Sequence, residues 1–199
     1  MKVFSFDADA LALALQQRES VQFSAGDAPR HAGVALVFCP GESGTQLLFI
    51  QRAVYPGDPW SGHMAFPGGH QDVEDTGPRG AAERELFEEV GLDVGGARCL
   101  GMLDAVYSPA QLEHRIGVQP FAYWVEHVPE LRPNHEVDTA HWIPLDVLLA
   151  PASRSSFTAA WEGREYSLPM IGWCEQRIWG MTLRIVDDLA ERVSSLNEA

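Results

Sequence analysis

GGHQDVEDTGPRGAAERELFEEVGL, residues 68–92, opens with two glycines, crosses a short acidic loop and ends in a predicted helix. On that helix Glu85, Glu88 and Glu89 lie three and four apart, so their side chains share a face. Ala82, Leu86 and Val90 form an apolar row opposite, able to face a core. Gly91 supplies the left-handed residue that commonly ends a helix. Pro78 suits the first turn, where its missing N–H is no loss. Asp75 and Thr76 are placed to bond the free amides there.

Three carboxylates on one helical face repel one another. Taken alone, ELFEE reads as a solvated acidic face. The glycine pair and the upstream Asp72 and Asp75 point further. Hard divalent cations such as Mg²⁺ take oxygen ligands, keep several waters and are shared with substrate phosphates. A rigid helix presenting Glu85, Glu88 and Glu89 beside a glycine turn is a scaffold for such an ion, and the Gly68 carbonyl is a further ligand candidate.

The stretch resembles the Nudix box, G-x5-E-x7-R-E-U-x-E-E-x-G-U, where U is a bulky apolar residue. Gly69 matches its first glycine, and Arg84, Glu85, Leu86, Glu88, Glu89, Gly91 and Leu92 match its second half. Asp75 stands in place of the first Glu, and eight residues rather than seven separate it from Arg84. Both departures resemble the coenzyme A diphosphatase branch. So do LLFIQRA at 47–53, Gly62-x3-Phe66-Pro67-Gly68-Gly69, Asn134-His135-Glu136-Val137, Trp142-Ile143-Pro144-Leu145 and Trp179-Gly180-Met181-Thr182. The branch signature carries an Arg where this chain has Asp58.

Net charge is −14, from 28 acidic and 14 basic residues. This argues against broad binding of nucleic acid, which needs a basic footprint. It also repels an anionic substrate, so local cations must overcome the field. Cys39, Cys99 and Cys174 have no metal-ligand spacing. They read as buried thiols of a reducing, cytoplasmic setting. Neither a signal peptide nor a membrane span is expected.

The 199 residues suit one domain with extensions. A helix is expected over 6–18, with Phe6, Ala10, Leu13 and Leu15 as its apolar stripe. Ala32–Phe38 and Gln46–Arg52 read as a hairpin around the turn cluster 41–44. Residues 53–63, with four Pro and Gly, form a loop that carries Tyr55, Trp60 and His63. Strands follow at 97–103 and 117–125, the latter an edge or bulged strand because of Pro120. A loop is read over 104–116 and another over 129–136, then a strand at 137–143 and a short helix at 144–149. The tail reads as a hairpin, 155–158 with 164–171, and a helix over 178–193 with Ile178, Met181, Ile185, Leu189 and Val193 inward. Alternating strands and helices give an α/β fold. The resemblance implies a Nudix-type α/β/α sandwich with a mixed central sheet: an N-terminal helical extension (1–31), a core (32–150) and a C-terminal hairpin and helix (151–199) packed on it.

By resemblance the chain is a hydrolase that cleaves a diphosphate linked to another moiety, with Mg²⁺ or Mn²⁺ held by Glu85, Glu88, Glu89 and the Gly68 carbonyl. Glu85, Glu89 and Glu136 are rival candidates for the general base, and Arg84 orients the carboxylates. Arg52, Trp60, Gly69 and Asp75 are the candidate substrate contacts. Arg52 equally reads as a strand end, Trp60 as a structural plug and Asp75 as a helix cap. The implied substrate is coenzyme A or a thioester, cleaved to 3′,5′-ADP and 4′-phosphopantetheine. A nucleotide sugar, ADP-ribose or a dinucleoside polyphosphate is the alternative, and a non-catalytic nucleotide-binding module is a third reading. The resemblance is compatible with a homodimer.

Overall fold

The computed structural model describes residues 6–23, 28, 30–57, 60–109, 115–161 and 163–195. Asp58 lies outside them. Two long strands, β1 (Arg30–Gly41) and β2 (Gly44–Arg52), form the expected hairpin, paired from Phe38↔Leu47 to Gly41↔Gly44. Beyond that register they stop pairing with each other. The short strands β3 (Met64–Ala65) and β4 (Gly68–His70) enter the fork, β3 on β2 and β4 on β1. The glycine pair therefore sits where β1 and β2 diverge.

The box helix α2 (Pro78–Val90) lies against β1. Gly33 permits this approach: a Cβ there would stand 1.7 Å from the Pro78 carbonyl oxygen. After α2 come β5 (Arg98–Met102), β6 (Val106–Tyr107), β7 (Ile116–Trp124) and β8 (Val137–Pro144). β7 runs parallel to β1, while β5 and β6 pair antiparallel with β7 and β8 pairs antiparallel with β2, which makes the sheet mixed.

Apolar residues alternate across this sheet, as the two-residue period of a strand requires. Ala35, Val37, Leu48, Ile50, Phe121 and Tyr123 face Ala82, Leu86 and Val90 of α2. Leu36, Phe38, Leu47, Phe49 and Ala122 face the other way. There they meet the helices α1 (Ala8–Gln16), α3 (Leu145–Leu149) and α4 (Gly180–Ser194). The result is the α/β/α sandwich. A second, three-stranded sheet follows a 3₁₀ turn at Pro151–Ser153: β9 (Arg154–Trp161), β10 (Arg164–Trp173) and β11 (Gln176–Trp179).

Several expectations need correction. α1 runs only from Ala8 to Gln16 and buries Ala8, Leu11, Ala12, Ala14 and Leu15; of the expected stripe Phe6, ahead of the helix, and Leu15 are buried, Ala10 is half-buried and Leu13 is exposed. β6 lies within the expected loop 104–116. β11 turns the expected C-terminal hairpin into a meander and takes Ile178, so the last helix begins at Gly180. Cys99 and Cys174 are exposed, and only Cys39 is buried.

Pro120 lies on neither an edge strand nor a bulge of its own, since β7 is flanked by β1 and by β5 and β6. Leu103 N–H donates to the Pro120 carbonyl (3.1 Å), and an ordinary antiparallel partner would return an N–H to Leu103. Proline has none to give. The Gln119 side-chain amide donates to the Leu103 carbonyl instead, at 2.6 Å. A neighbouring side chain thus repairs the ladder that the proline interrupts.

Candidate active site

α2 starts at Pro78 behind Gly77, without a side-chain cap, and ends at Gly91 in the left-handed conformation. Asp75 does not cap it. Its carboxylate instead accepts from Arg84 through Nε (3.1 Å) and Nη2 (3.0 Å), and from the Asp72 N–H (2.8 Å). The Asp75 carboxyl is held below its ordinary range, first by that Arg84 bond.

Arg84 is the hub of the loop and helix face. Its Nη2 also donates to the His70 carbonyl (3.0 Å), while its Nη1 meets Glu88 (3.2 Å) and Glu85 (3.0 Å). One planar guanidinium with five donors can serve such divergent acceptors; an ammonium cannot hold the same fork.

The three box glutamates occupy three environments. Glu88 is exposed, Glu85 is partly buried and Glu89 is 2% exposed. Glu89 Oε2 accepts the Gly68 N–H at 2.9 Å. Burial lifts its carboxyl to about 8; the Gly68 bond and Arg52 act against that rise, and Glu85 and Glu136 add to it. The Glu85 carboxyl is also raised, by burial first, against the pull of Arg84, with Glu88 and Glu136 adding to the rise. Gly69 packs directly on Glu85: a Cβ at Gly69 would stand 2.3 Å from Glu85 Oε1.

Glu136 arrives from a distant loop that also caps α2. The last-turn carbonyls of a helix lack partners within the helix. Here Asn134 N–H donates to the Glu89 carbonyl (2.8 Å) and Arg132 N–H to that of Val90 (2.7 Å). Asn134 Oδ1 then accepts the Glu136 N–H (2.8 Å), a side-chain turn of the kind Asn favours. The spacing of Asn134 and Glu136 carries that signal, which the branch-like stretch Asn134–Val137 does not by itself reveal.

The loop 53–63 is fastened to the same region. Ala53 N–H donates to the Glu136 carbonyl (2.8 Å), and Tyr55 Oη donates to that of His135 (2.7 Å). Arg52 N–H donates to His63 and Arg52 accepts from Gly62, which closes the loop at its base. Trp60 stands at the tip, 45% exposed, so it plugs no core. The fold thus gathers Arg52, Gly68, Gly69, Asp75, Arg84, Glu85, Glu88, Glu89 and Glu136 into one region and leaves Trp60 at its margin.

The donors on this face are oxygens, and Glu85 and Glu89 are both lifted by burial and by neighbouring like charge. A hard divalent cation is the group that relieves such a cluster. In the arrangement seen, Arg84 holds Glu85 and Glu88, and Gly68 holds Glu89. Among the described residues no three His, Cys, Asp or Glu side chains converge closely enough to hold an ion as they stand. The donor set fits the ion in kind and charge, and ligation requires these side chains to turn from their present partners.

A NUDIX domain model matches residues 29–161. A human mitochondrial coenzyme A diphosphatase is 31% identical over 165 residues, 80% of this chain and 67% of that protein. An uncharacterized Nudix hydrolase of Yersinia pestis is 30% identical over 135 residues, 67% of this chain and 66% of that one. An uncharacterized Schizosaccharomyces pombe protein is 33% identical over 144 residues, 62% of this chain, but the match spans only 44% of that protein's length. A MutT/nudix family protein from Enterococcus faecalis shares the fold, with a TM-score of 0.60 over 96% of this chain and 76% of that one at 15% identity. With a matching model over most of its length and the box acids gathered on α2, the chain belongs to the Nudix family of diphosphohydrolases.

Proposed function

We propose that the chain is a Mg²⁺- or Mn²⁺-dependent hydrolase of coenzyme A or its thioesters, releasing 3′,5′-ADP and the (acyl-)4′-phosphopantetheine. The observation that carries the reaction class is that Glu85 packs on Gly69 and Glu89 accepts from Gly68, with Glu88 and Glu136 near enough to raise the Glu85 carboxyl. The substrate rests on the 31% identity to a coenzyme A diphosphatase and on the branch-like stretches around the box.

Glu85, Glu88, Glu89 and the Gly68 carbonyl would hold the divalent ion. When bound, it neutralises diphosphate charge, polarises the phosphoryl oxygen and lowers the pKa of water. Arg84, anchored to Asp75 and the His70 carbonyl, keeps Glu85 and Glu88 on one face until an ion takes them over. Arg52, beside Glu89, offsets anionic charge at the inner end of that face. A carboxylate must take the proton of the attacking water, and Glu85, Glu89 and Glu136 are the candidates for that role. The loop bearing Tyr55 and Trp60 borders the site and is placed to contact the substrate. The three unpaired cysteines fit a reducing compartment such as the cytoplasm.

The test is product analysis by mass spectrometry with Mg²⁺ or Mn²⁺, using coenzyme A, acetyl-coenzyme A, ADP-ribose, a nucleotide sugar and a dinucleoside polyphosphate in parallel. Release of 3′,5′-ADP is the expected result. Cleavage of another substrate alone would keep the hydrolase and overturn the coenzyme A assignment. The presence of Asp58 where the branch carries Arg makes that panel necessary.

A further inference from the structure

At the end of β4, Arg30, His31, His70 and Gln71 line an open pocket of about 370 Å³. Among the described residues no acidic side chain lines it. That is unusual for this chain, in which acids outnumber Lys and Arg 28 to 14. Gln71 N–H donates to the His31 carbonyl (2.9 Å), which ties the two walls together.

The wall at His31 is stacked on one face and lacks a polar partner. Its ring stacks on Phe23, centroids 4.5 Å apart and planes 7° from parallel. Its Nε2 is buried and has no hydrogen-bond partner. Phe23 in turn meets Tyr107 edge-on (6.0 Å), and the Arg115 guanidinium lies over the Tyr107 ring (5.1 Å). The Nε of Arg115 is likewise buried without a partner. Buried polar atoms are nearly always bonded, so an unpartnered ring nitrogen on a residue that lines a pocket points to a group that completes it.

The pocket adjoins the proposed site through one side chain. Arg84 bonds the carbonyl of His70, a pocket residue, and also Glu85 and Glu88. Gly69, which packs on Glu85, immediately precedes His70. A substrate whose diphosphate lies over the box acids therefore has a cationic recess one residue beyond them.

We propose that the Arg30–His31–His70–Gln71 pocket receives a phosphomonoester of the nucleotide half of the substrate, apart from the diphosphate that is cleaved. This deepens the coenzyme A reading and rests on it for the identity of that group, the 3′-phosphate. Arg30 and His70 are exposed, so they can bond a dianion without a folding cost when replaced. Charge-assisted bonds of this kind are the strong ones.

The test has a binding arm and a turnover arm. In the first, inorganic phosphate, 5′-AMP and adenosine 3′,5′-bisphosphate are titrated calorimetrically into the wild-type chain and the Arg30→Gln/His70→Gln variant. The bisphosphate is expected to bind the wild type about tenfold more tightly than 5′-AMP, with the preference lost in the variant. In the second arm kcat/KM is compared for coenzyme A and dephospho-coenzyme A. The variant is expected to lose the preference for coenzyme A through KM, while dephospho-coenzyme A turnover is unchanged. Equal affinity for the two nucleotides, or a preference that survives in the variant, overturns the proposal. If neither coenzyme is cleaved but the bisphosphate preference holds and Arg30 and His70 carry it, the pocket stands and the substrate reading fails.

Discussion

The Gly68 N–H donates to Glu89 Oε2 at 2.9 Å, which fastens the turn before the box helix to that helix's last turn. Glu89 thus has a structural partner in addition to its proposed chemistry. Glutamine preserves the acceptor and removes the charge, so Glu89→Gln separates the two roles. The variant is expected to melt at or above the wild-type temperature, because a buried carboxylate is replaced by a neutral group. Its turnover should fall roughly a hundredfold or more, with weaker Mn²⁺ binding by electron paramagnetic resonance. Glu88→Gln should also lose turnover. Near wild-type rates in both variants would remove the metal assignment.

Arg84 reaches Asp75, Glu85, Glu88 and the His70 carbonyl at once. Arg84→Lys keeps the charge and loses the fork. Groups that orient metal ligands typically matter by about 10–100-fold in affinity or activity, and that is the expected drop. Arg84→Lys and Asp75→Asn should be strongly non-additive in a double-mutant cycle, since each removes the other's partner. Simple additivity would place Asp75 outside this network.

The box was legible because its signals are local. Pro78, the spacing of Ala82, Leu86 and Val90, and Gly91 just after it specify the thirteen-residue helix locally. What lay hidden depends on contacts between distant segments. The different burials of Glu85, Glu88 and Glu89 follow from the Gly68 turn and the Glu136 loop, which no helical wheel contains. Pro120 reads as an edge signal until Gln119 is seen to supply its missing donor.

The least legible feature is Arg192, 1% exposed at its side chain. It donates to Asp188 (3.0 Å), Asp104 (2.7 Å) and the Leu15 carbonyl (3.0 Å), joining α4, α1 and the segment after β5. Arg18 adds bonds to both aspartates. Removing Arg192 leaves both aspartates to the half-exposed Arg18 and takes a charged donor from the Leu15 carbonyl, at a cost of about 1.5–3 kcal/mol. Arg192→Met should therefore lower the urea midpoint without changing the slope. An unchanged midpoint would show that the network contributes nothing net.

Burial also sorts the thiols. Cys39 is fully buried in β1, and its thiol is pushed up to about 11, whereas Cys99 and Cys174 are exposed. Near pH 8 two thiols should react quickly with an aromatic disulfide reagent, and the third only after denaturation. A thiol raised in the folded state keeps its proton longer than in the unfolded chain. Its contribution to stability is present below the unfolded value and is lost as pH rises toward about 11. Three fast thiols would contradict the position of Cys39.

Gly33 and Gly69 pair with each other in adjacent strands, yet alanine should affect them in different ways. At Gly33 the added Cβ meets backbone, 1.7 Å from the Pro78 oxygen and 3.0 Å from the Ala82 nitrogen. Neither atom can move unless the box helix moves, so Gly33→Ala should destabilise the fold by at least about 1–3 kcal/mol. At Gly69 the obstacle is the carboxylate end of Glu85, 2.3 Å away, which can swing aside at little folding cost. Gly69→Ala should keep its melting temperature and lose turnover because the displaced group belongs to the proposed metal face. Calorimetry and rate measurements on both variants read the two effects separately. If Gly69→Ala kept full activity, Glu85 would have no positional role in the reaction; if it unfolded instead, the turn would serve the fold before it serves the chemistry.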